Sequence, residues 1–447
     1  MKIDRTARKA LVAALAVLFP ALQAGSLEAQ VLSLEECIRE ALKNNPEIHV
    51  AAQGVKKGES SLKYSYGNLM PSLSAGFSRG HVFYGPSSVQ FDSQGRPVQT
   101  SGFDYDNFAF RITSDMVFFD GGGNISRINA ARFNRDSARE RYEYTRDMMA
   151  ASVIRAYYNL VRNRMLLHVQ EESMEQARQN LERTEALLEV GSATRADVLK
   201  AKVRLSNTRL SMIGTRNQVE LAREDLLALL NMKSATTVEV DTTLVINVPD
   251  RFDADAQIEY AMENRPDLKS LKYGMKSAKS MVSEARSGWF PVLGANFGYY
   301  WNDRQMVDNL NFFKEEYTWN ITGYISLNIF DRFQTSSSLA SAKADYRIAE
   351  YNLEKSRLDA IKEIKSLQFG IREAMERIDV ATETVEQAME DVRLAEERYR
   401  VGAGTMLETI DALMALTQAK ADVIDAKCDY LVGVADLARA TGERNFE

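Results

Sequence analysis

The chain is 447 residues long, 45% hydrophobic and 26% charged, with a formal net charge of -6. An acidic balance of this kind makes a poor partner for nucleic acid, and nothing beyond the first residues approaches the ~20 apolar residues of a spanning helix. His49, His81 and His168 stand apart from any Cys, Asp or Glu at metal-ligand spacing, so neither a metal nor a cofactor is expected.

The chain opens with Lys2, Arg5, Arg8 and Lys9, an apolar run over 10–22 and small residues at Ala24 and Ala29. That is the layout of a secretory signal peptide, 1–29, with cleavage after Ala24 or Ala29. Export puts Cys37 and Cys428 in an oxidising compartment, where sequence alone leaves open whether they pair.

A first structural repeat covers 30–231. Asn45-Pro46-Glu47 breaks the chain into short helices, the second over about 46–69. The period then changes to two. Leu73, Ala75 and Phe77 alternate with Ser72, Ser74, Gly76 and Ser78, and Phe108, Phe110, Ile112, Met116 and Phe118 form the returning strand of a β-hairpin over about 71–119. From 124 to 190 there is neither Pro nor Gly, and Val153, Leu160, Leu167, Met174, Leu181 and Leu188 recur every seven residues. This is a seam-forming helix, roughly 100 Å long at 1.5 Å per residue. Val190-Gly191 ends it, and another helix follows over about 194–231.

After a linker at 232–253, the pattern repeats over 254–447. Ala41-Leu-Lys-Asn-Asn-Pro46 answers to Ala261-Met-Glu-Asn-Arg-Pro266, and Phe119-Asp120 and Val190-Gly191 answer to Phe330-Asp331 and Val401-Gly402. The second copy predicts a hairpin over about 291–330, a long helix over about 334–401 and a last helix over about 405–441. Its heptad is Ile364, Ile371, Ile378, Val385, Val392 and Tyr399, flanked by Leu367, Ala374, Ala381, Ala388 and Ala395. In each copy a long helix beside two shorter ones makes a wall, and the two copies build one pseudo-symmetric object.

From 318 to 330, Trp319, Ile321, Ile325, Leu327 and Ile329 alternate with Thr318, Asn320, Thr322, Ser326 and Asn328. Aromatic-rich alternation over about 10 residues suits a membrane β-barrel, apolar outward and polar toward a lumen. Four strands cannot close, and an open edge in lipid leaves backbone groups unpaired at several kcal/mol each. Three chains, with twelve strands, make the smallest assembly that leaves a pore. The fold class is therefore mainly α, a long coiled-coil α-barrel with four strands per chain completing a trimeric 12-stranded barrel, internally duplicated.

The duplicated breaks, the strand-to-helix turns Phe119-Asp120-Gly121-Gly122 and Phe330-Asp331-Arg332, and the tips Val190-Gly191 and Val401-Gly402 together make the chain resemble the outer membrane efflux protein family, the TolC-like channels. The resemblance covers essentially all of the mature sequence. It implies a homotrimer in outer membrane lipid with an α-helical tunnel in the periplasm, docked to a periplasmic adaptor protein and powered by an inner-membrane pump of the RND, ABC or MFS type. It implies a passive duct and not an enzyme, in keeping with a sequence that clusters no nucleophile with a base. The rival reading is a periplasmic coiled-coil scaffold or adhesin stalk without transport activity.

Members of the family are shut at the periplasmic end by helix hairpins. The matching tips here are 191–197 and 402–408, and the adaptor would dock at Val190, Gly191, Val401 and Gly402. Glu408 and Asp411, three apart on a helix, share a face, so a trimer could ring one opening with their carboxylates. Thr194 with Asp197, and Thr405 with Glu408, also have the spacing of capping boxes. Tyr399 matches a family position that bridges to the acid at Asp197. Where the best-known member carries an arginine of the closed-state network, this chain has Gly404, and Arg195 and Arg400 are the nearby substitutes.

Overall fold

A computed structural model describes residues 30–86, 90–98, 102–233, 238–242, 244, 254–304, 314 and 316–443. The expected leader, 1–29, and most of the 232–253 linker lie outside these residues. The elements in chain order are β1 (Gln30–Leu32), α1 (Leu34–Asn44), α2 (Pro46–Gly67), β2 (Ser74–Tyr84), β3 (Gln90–Phe91), β4 (Pro97–Val98), β5 (Phe103–Asp120), α3 (Gly123–Glu189) and α4 (Arg195–Leu230). The second half supplies β6 (Val238–Val240), α5 (Ala254–Asn264), α6 (Pro266–Ser287), β7 (Val292–Asp303), β8 (Tyr317–Ser326), α7 (Gln334–Arg400) and α8 (Met406–Thr441). Helices of 11, 22, 67 and 36 residues appear in the same order in both halves. One pairing had no sequence signal: β6 joins β1 in a parallel two-stranded sheet.

The helices stand as four columns. The long α3 packs along α2 and α4 on one flank and along α6 and α8 on the other, and α7 packs along α6 and α8. Two columns are built from two helices stacked end to end, and the joint shows how. In the first half Asn45 caps α2 by accepting from the Glu47 N–H at 2.8 Å, and its Nδ2 donates to the Leu229 carbonyl in the last turn of α4 at 2.9 Å. In the second half Arg265, almost wholly buried, donates to the Ala440 carbonyl in the last turn of α8 at 3.0 Å. The residue before each proline thus satisfies a carbonyl at the end of the helix below, which a broken helix otherwise leaves open.

Arg265 carries a charge into that joint, and the charge is answered. It pairs with Asp267 and Glu363 at 2.8 Å each, and Glu363 also pairs with Arg439. Burial pushes the Glu363 carboxyl up, but hydrogen bonds from Arg439 and Arg265 outweigh burial and hold it below its usual value.

The seams depart from a strict heptad. Val153, Leu160, Ile364 and Ile371 are fully enclosed at mid-height. Farther down α3, however, the buried positions are Val169, Ser173, Ala177, Asn180 and Thr184, and Leu188 is exposed. On α7 the companion residues Ala374, Ala388 and Ala395 are buried while Val385, Val392 and Tyr399 are half-covered. A straight helix drifts about 20° per heptad, and a helix with neighbours on two flanks buries small residues where those neighbours come close. Cys37 and Cys428 are both buried free thiols.

Two apolar stripes are left uncovered at the ends of the wall. Leu199, Val203, Leu210 and Leu221 are exposed on α4, and Tyr351, Leu358, Phe369, Val380 and Leu394 on α7. Steps of 4, 7, 11 and 14 keep each set on one helical face.

The strands β2, β5, β7 and β8 form one antiparallel sheet in the order β2-β5-β7-β8. Its register puts Phe77, Phe110, Trp301 and Tyr317 on one face, with Ile112, Tyr299 and Trp319 in the next row and then Phe297 with Ile321. Ser78, Gly76, Arg111, Thr113, Asn296, Asn320 and Thr322 lie on the other. A bulge between Val117 and Phe119 reverses the alternation, so that Phe119, not the expected Phe118, stands opposite Leu293. The last strand also stops short. Leu327, Ile329 and Phe330 lie beyond its end at Ser326.

Each hairpin feeds a long helix through two left-handed residues. In the first half these are Gly121 (φ 69°) and Gly122 (φ 84°), where a Cβ on Gly121 would meet Phe290 Cβ at 2.6 Å. In the second they are Arg332 (φ 55°) and Phe333 (φ 66°), a turn kept without glycine. The aspartate before each turn caps the helix: Asp120 accepts from the Asn124 N–H at 2.7 Å and Asp331 from the Thr335 N–H at 2.8 Å.

Replacing Glu363 by Ala leaves Arg265 and Arg439 without their shared carboxylate and should cost about 3 kcal/mol in denaturant unfolding of the detergent-solubilised protein. Because its folded value is lowered, this carboxylate contributes fully above the ordinary carboxylate range and loses its contribution as pH falls through that lowered value. Glu363→Gln should therefore show a shallower loss of stability between neutral and acid pH than the parent.

Candidate functional site

Both hairpin tips lie at the end of the wall farthest from the sheet, and glycine makes each reversal. α3 runs out at Val190, and Gly191 (φ 76°) turns the chain so that the Ser192 and Ala193 N–H groups donate to the Leu187 carbonyl at 2.8 and 3.2 Å. At the second tip Gly402 (φ 76°) does the same, with the Ala403 and Gly404 N–H groups donating to the Arg398 carbonyl at 2.9 and 3.0 Å. Left-handed backbone after a helix favours glycine and closes the free carbonyls. Val190 and Val401 are left protruding, with 74% and 71% of their surface exposed.

The two acids on the return helices are held differently. Thr194 and Asp197 form a complete capping box: the Asp197 N–H donates to Thr194 Oγ1 at 3.2 Å and the Thr194 N–H to Asp197 Oδ2 at 3.0 Å. The Thr194 hydroxyl also donates to Asp197 Oδ2 at 2.6 Å, and this hydrogen bond first among causes holds the Asp197 carboxyl below its usual value. At the second tip only half the box forms. The Glu408 N–H donates to Thr405 Oγ1 at 3.3 Å, while the Glu408 carboxylate leans back toward Arg398, whose Nη2 lies 3.6 Å from Oε2.

Arg398 is the residue that sequence reasoning missed. Arg195 and Arg400 make no ion pair among the described residues, whereas Arg398 reaches both Glu408 and, at 3.4 Å, the Ala403 carbonyl. Residues two apart on a helix point roughly 200° apart, so Arg400 faces away when Arg398 faces the returning chain. Gly404 makes room for this. A Cβ there would stand 2.9 Å from Arg398 Cβ and 3.2 Å from Glu408 Oε2. The offset of 211 residues that relates Val190 to Val401 pairs Arg398 with Leu187, so the repeat itself marks position 398 as a place where the two tips differ.

The two hairpins are laced together above the tips. Asn180 Nδ2 donates to Met406 Sδ at 3.9 Å, the Thr417 hydroxyl to Ser173 at 3.3 Å and Lys420 Nζ to Glu172 at 2.7 Å, and Arg183 lies 3.6 Å from Glu396. Tyr399 comes down between Thr184 and Asp197 with its hydroxyl enclosed but in no hydrogen bond of good geometry. Burial first, and the Asp197 charge second, push its phenol up. The expected neighbours Tyr399 and Asp197 are therefore brought together without a bridging hydrogen bond. Asp411, one turn beyond Glu408, is exposed and has no ion pair or hydrogen bond among the described residues.

The described residues hold no group of three or more His, Cys, Asp or Glu placed to take a metal, and no helix among them is long and apolar enough to cross a membrane.

Comparison with known proteins adds a consistent set of relatives. The probable efflux pump outer membrane protein TtgC of Pseudomonas putida is 24% identical over 424 residues, covering 93% of this chain and 84% of the relative. The alkaline protease secretion protein AprF of Pseudomonas aeruginosa is 20% identical over 413 residues, covering 92% and 84%. Among solved structures the outer membrane protein VceC of Vibrio cholerae superposes with a TM-score of 0.79 at 19% identity, covering 92% of this chain and 96% of its own. The family model described as outer membrane efflux protein matches residues 37–232 and again 258–443. With nearly the whole described wall and sheet inside those two blocks, the chain belongs to the outer membrane efflux protein family: it is an outer membrane channel for efflux or secretion, with its helical part in the periplasm.

Proposed function

We propose that three copies of this chain close into a twelve-stranded barrel continued by a helical tunnel, a passive duct gated at the hairpin tips. The observation that carries the reading is the sheet: four strands, with β2 and β8 each unpaired along one side among the described residues and one face apolar. Edges of this kind are untenable in lipid, and pairing β8 of one copy with β2 of the next removes them all. The wall supports the same closure, because the exposed stripe on α4 and the stripe on α7 lie at its two ends and would meet between copies. Equal helix lengths in the two halves, and a family model that matches twice, support the internal duplication.

The chain supplies the path and not the energy. It has the name-bearing company of an efflux channel and of a protease secretion protein, so its cargo is small molecules or proteins. A periplasmic adaptor docking at Val190, Gly191, Val401 and Gly402 would couple the duct to an inner-membrane pump. Protruding valines on a glycine-made turn offer an adaptor a small apolar knob. Asp197, Tyr399, Glu408 and Asp411 would form the gate, with carboxylates near a narrow opening favouring cations. No chemistry on cargo is required of any residue, and we assign the chain no catalytic role.

Charging the α7 stripe with Val380→Glu and Leu394→Glu should convert the trimer to monomers in detergent, read by native mass spectrometry; a trimer that survives both would remove this stripe from the seam. In planar-bilayer recordings, replacing both Glu408 and Asp411 by Ala should lower the cation-to-anion permeability ratio, and an unchanged ratio would take them out of the pore. Because the Tyr399 hydroxyl makes no hydrogen bond to Asp197, Tyr399→Phe should leave the resting conductance as it is while Tyr399→Ala, which removes the ring, raises it.

A further inference from the structure

At the lower end of the second hairpin most acids are answered. Glu396 lies 3.6 Å from Arg183, Glu397 2.8 Å from Arg393 and Glu408 3.6 Å from Arg398. Asp391 on α7 and Asp411 on α8 are not, and of these only Asp411 shares a helical face with Glu408; no cation stands within ion-pair distance of it among the described residues. Of the three carboxylates assigned to the gate, Asp197 is tied to its Thr194 cap, and the two on α8, Glu408 and Asp411, are electrically unequal.

We infer that Arg398 neutralises Glu408 within each chain, so that of the two carboxylates that α8 brings to the gate only Asp411 acts uncompensated. This deepens the gate reading and rests on it. The pair is solvent-exposed, with 61% and 46% of the two side chains accessible, so it adds little to stability. Its effect on a passing ion does not depend on strength. Arginine keeps its proton at any physiological pH, and a fixed cation beside a carboxylate reduces the field at a distance to that of a dipole, which salt screens within about 8 Å. Three features hold the arrangement: the Ala403 carbonyl accepts from Arg398 at 3.4 Å, Thr405 donates to Glu408 Oε1 at 3.3 Å, and Gly404 leaves the space that a side chain would take.

Arg398 is then a selectivity-setting residue. A side chain at 404 would force Arg398 to shift, because its first atom would fall 2.9 Å from Arg398 Cβ. In this chain the cation stands in the last full turn of α7, where it reaches its own tip.

The test is the reversal potential of purified channels in planar bilayers under a potassium chloride gradient, with lanthanum block as a second reading. Arg398→Gln should raise the cation-to-anion permeability ratio by about twofold, since α8 then brings two uncompensated carboxylates per copy to the ring instead of one, and should tighten lanthanum block. Arg398→Lys should hold the wild-type ratio. Gly404→Ala, which pushes Arg398 aside, should move the ratio in the same direction as Arg398→Gln. Adding Glu408→Gln to Arg398→Gln should return the ratio to the wild-type value. An unchanged ratio in Arg398→Gln, from channels shown by native mass spectrometry to assemble as wild type, would overturn the inference, as would a double variant that falls well below wild type. Asp411→Asn separates the two levels: if it leaves selectivity and lanthanum block untouched, the gate reading itself fails, whatever Arg398 does.

Discussion

Backbone groups that have lost water must find another partner, and this constraint shapes the chain at both ends. In the sheet it bears on the outer sides of β2 and β8, whose N–H and C=O groups pair with no other strand among the described residues and could not be left so in lipid. In the wall it acts where two helices are stacked to match one long one. There the free carbonyls of α4 and α8 are met by Asn45 and Arg265 from the helices above. The same requirement thus leaves two strand edges to be covered in one place and is met by a particular residue in another.

The long helices follow from what they lack as much as from what they contain. Without proline, and with one glycine inside α7 and only the starting one in α3, nothing interrupts 67 residues of helix. Length then obliges them to be flanked on two sides, and two flanks require two buried stripes. Ser173, Ala177 and Thr184 on α3 are small enough to let α4 and α8 both approach. The tips can be spliced closely at Asn180 and Met406 because the seam above them is made of such residues.

Much of this was legible in the sequence because its causes are local. Pro46 and Pro266 fix helix starts, Gly191 and Gly402 fix reversals, and strict alternation fixes the strand faces; each depends on a residue and its near neighbours. The remainder depends on residues far apart in the chain. The bulge at Val117 is visible only once β7 is laid beside β5, and it moves Phe119 to the face expected for Phe118. The heptad predicted leucines in the lower seam of α3, but the drift of a straight helix and a second neighbour transferred burial to the polar positions. Arg398 escaped notice because proximity to the tip pointed to Arg195 and Arg400, whereas helical phase decides which arginine looks across the turn. Nothing near Arg265 in the sequence marks it as buried; only the arrival of Glu363 and the end of α8 explains why a charge is enclosed there.

The turns that join sheet to wall are chemically unlike in the two halves, and this bears on how the duct handles torque. Gly121 and Gly122 occupy left-handed backbone at no steric cost, while Arg332 and Phe333 do so at roughly 1–2 kcal/mol each. A closed ring of three chains would therefore alternate compliant couplings with stiff ones around its rim. If three copies close as proposed, a rotation of the helical end would meet less resistance at the glycine couplings than at the others, and the sheet end would feel a threefold, not a sixfold, set of anchors.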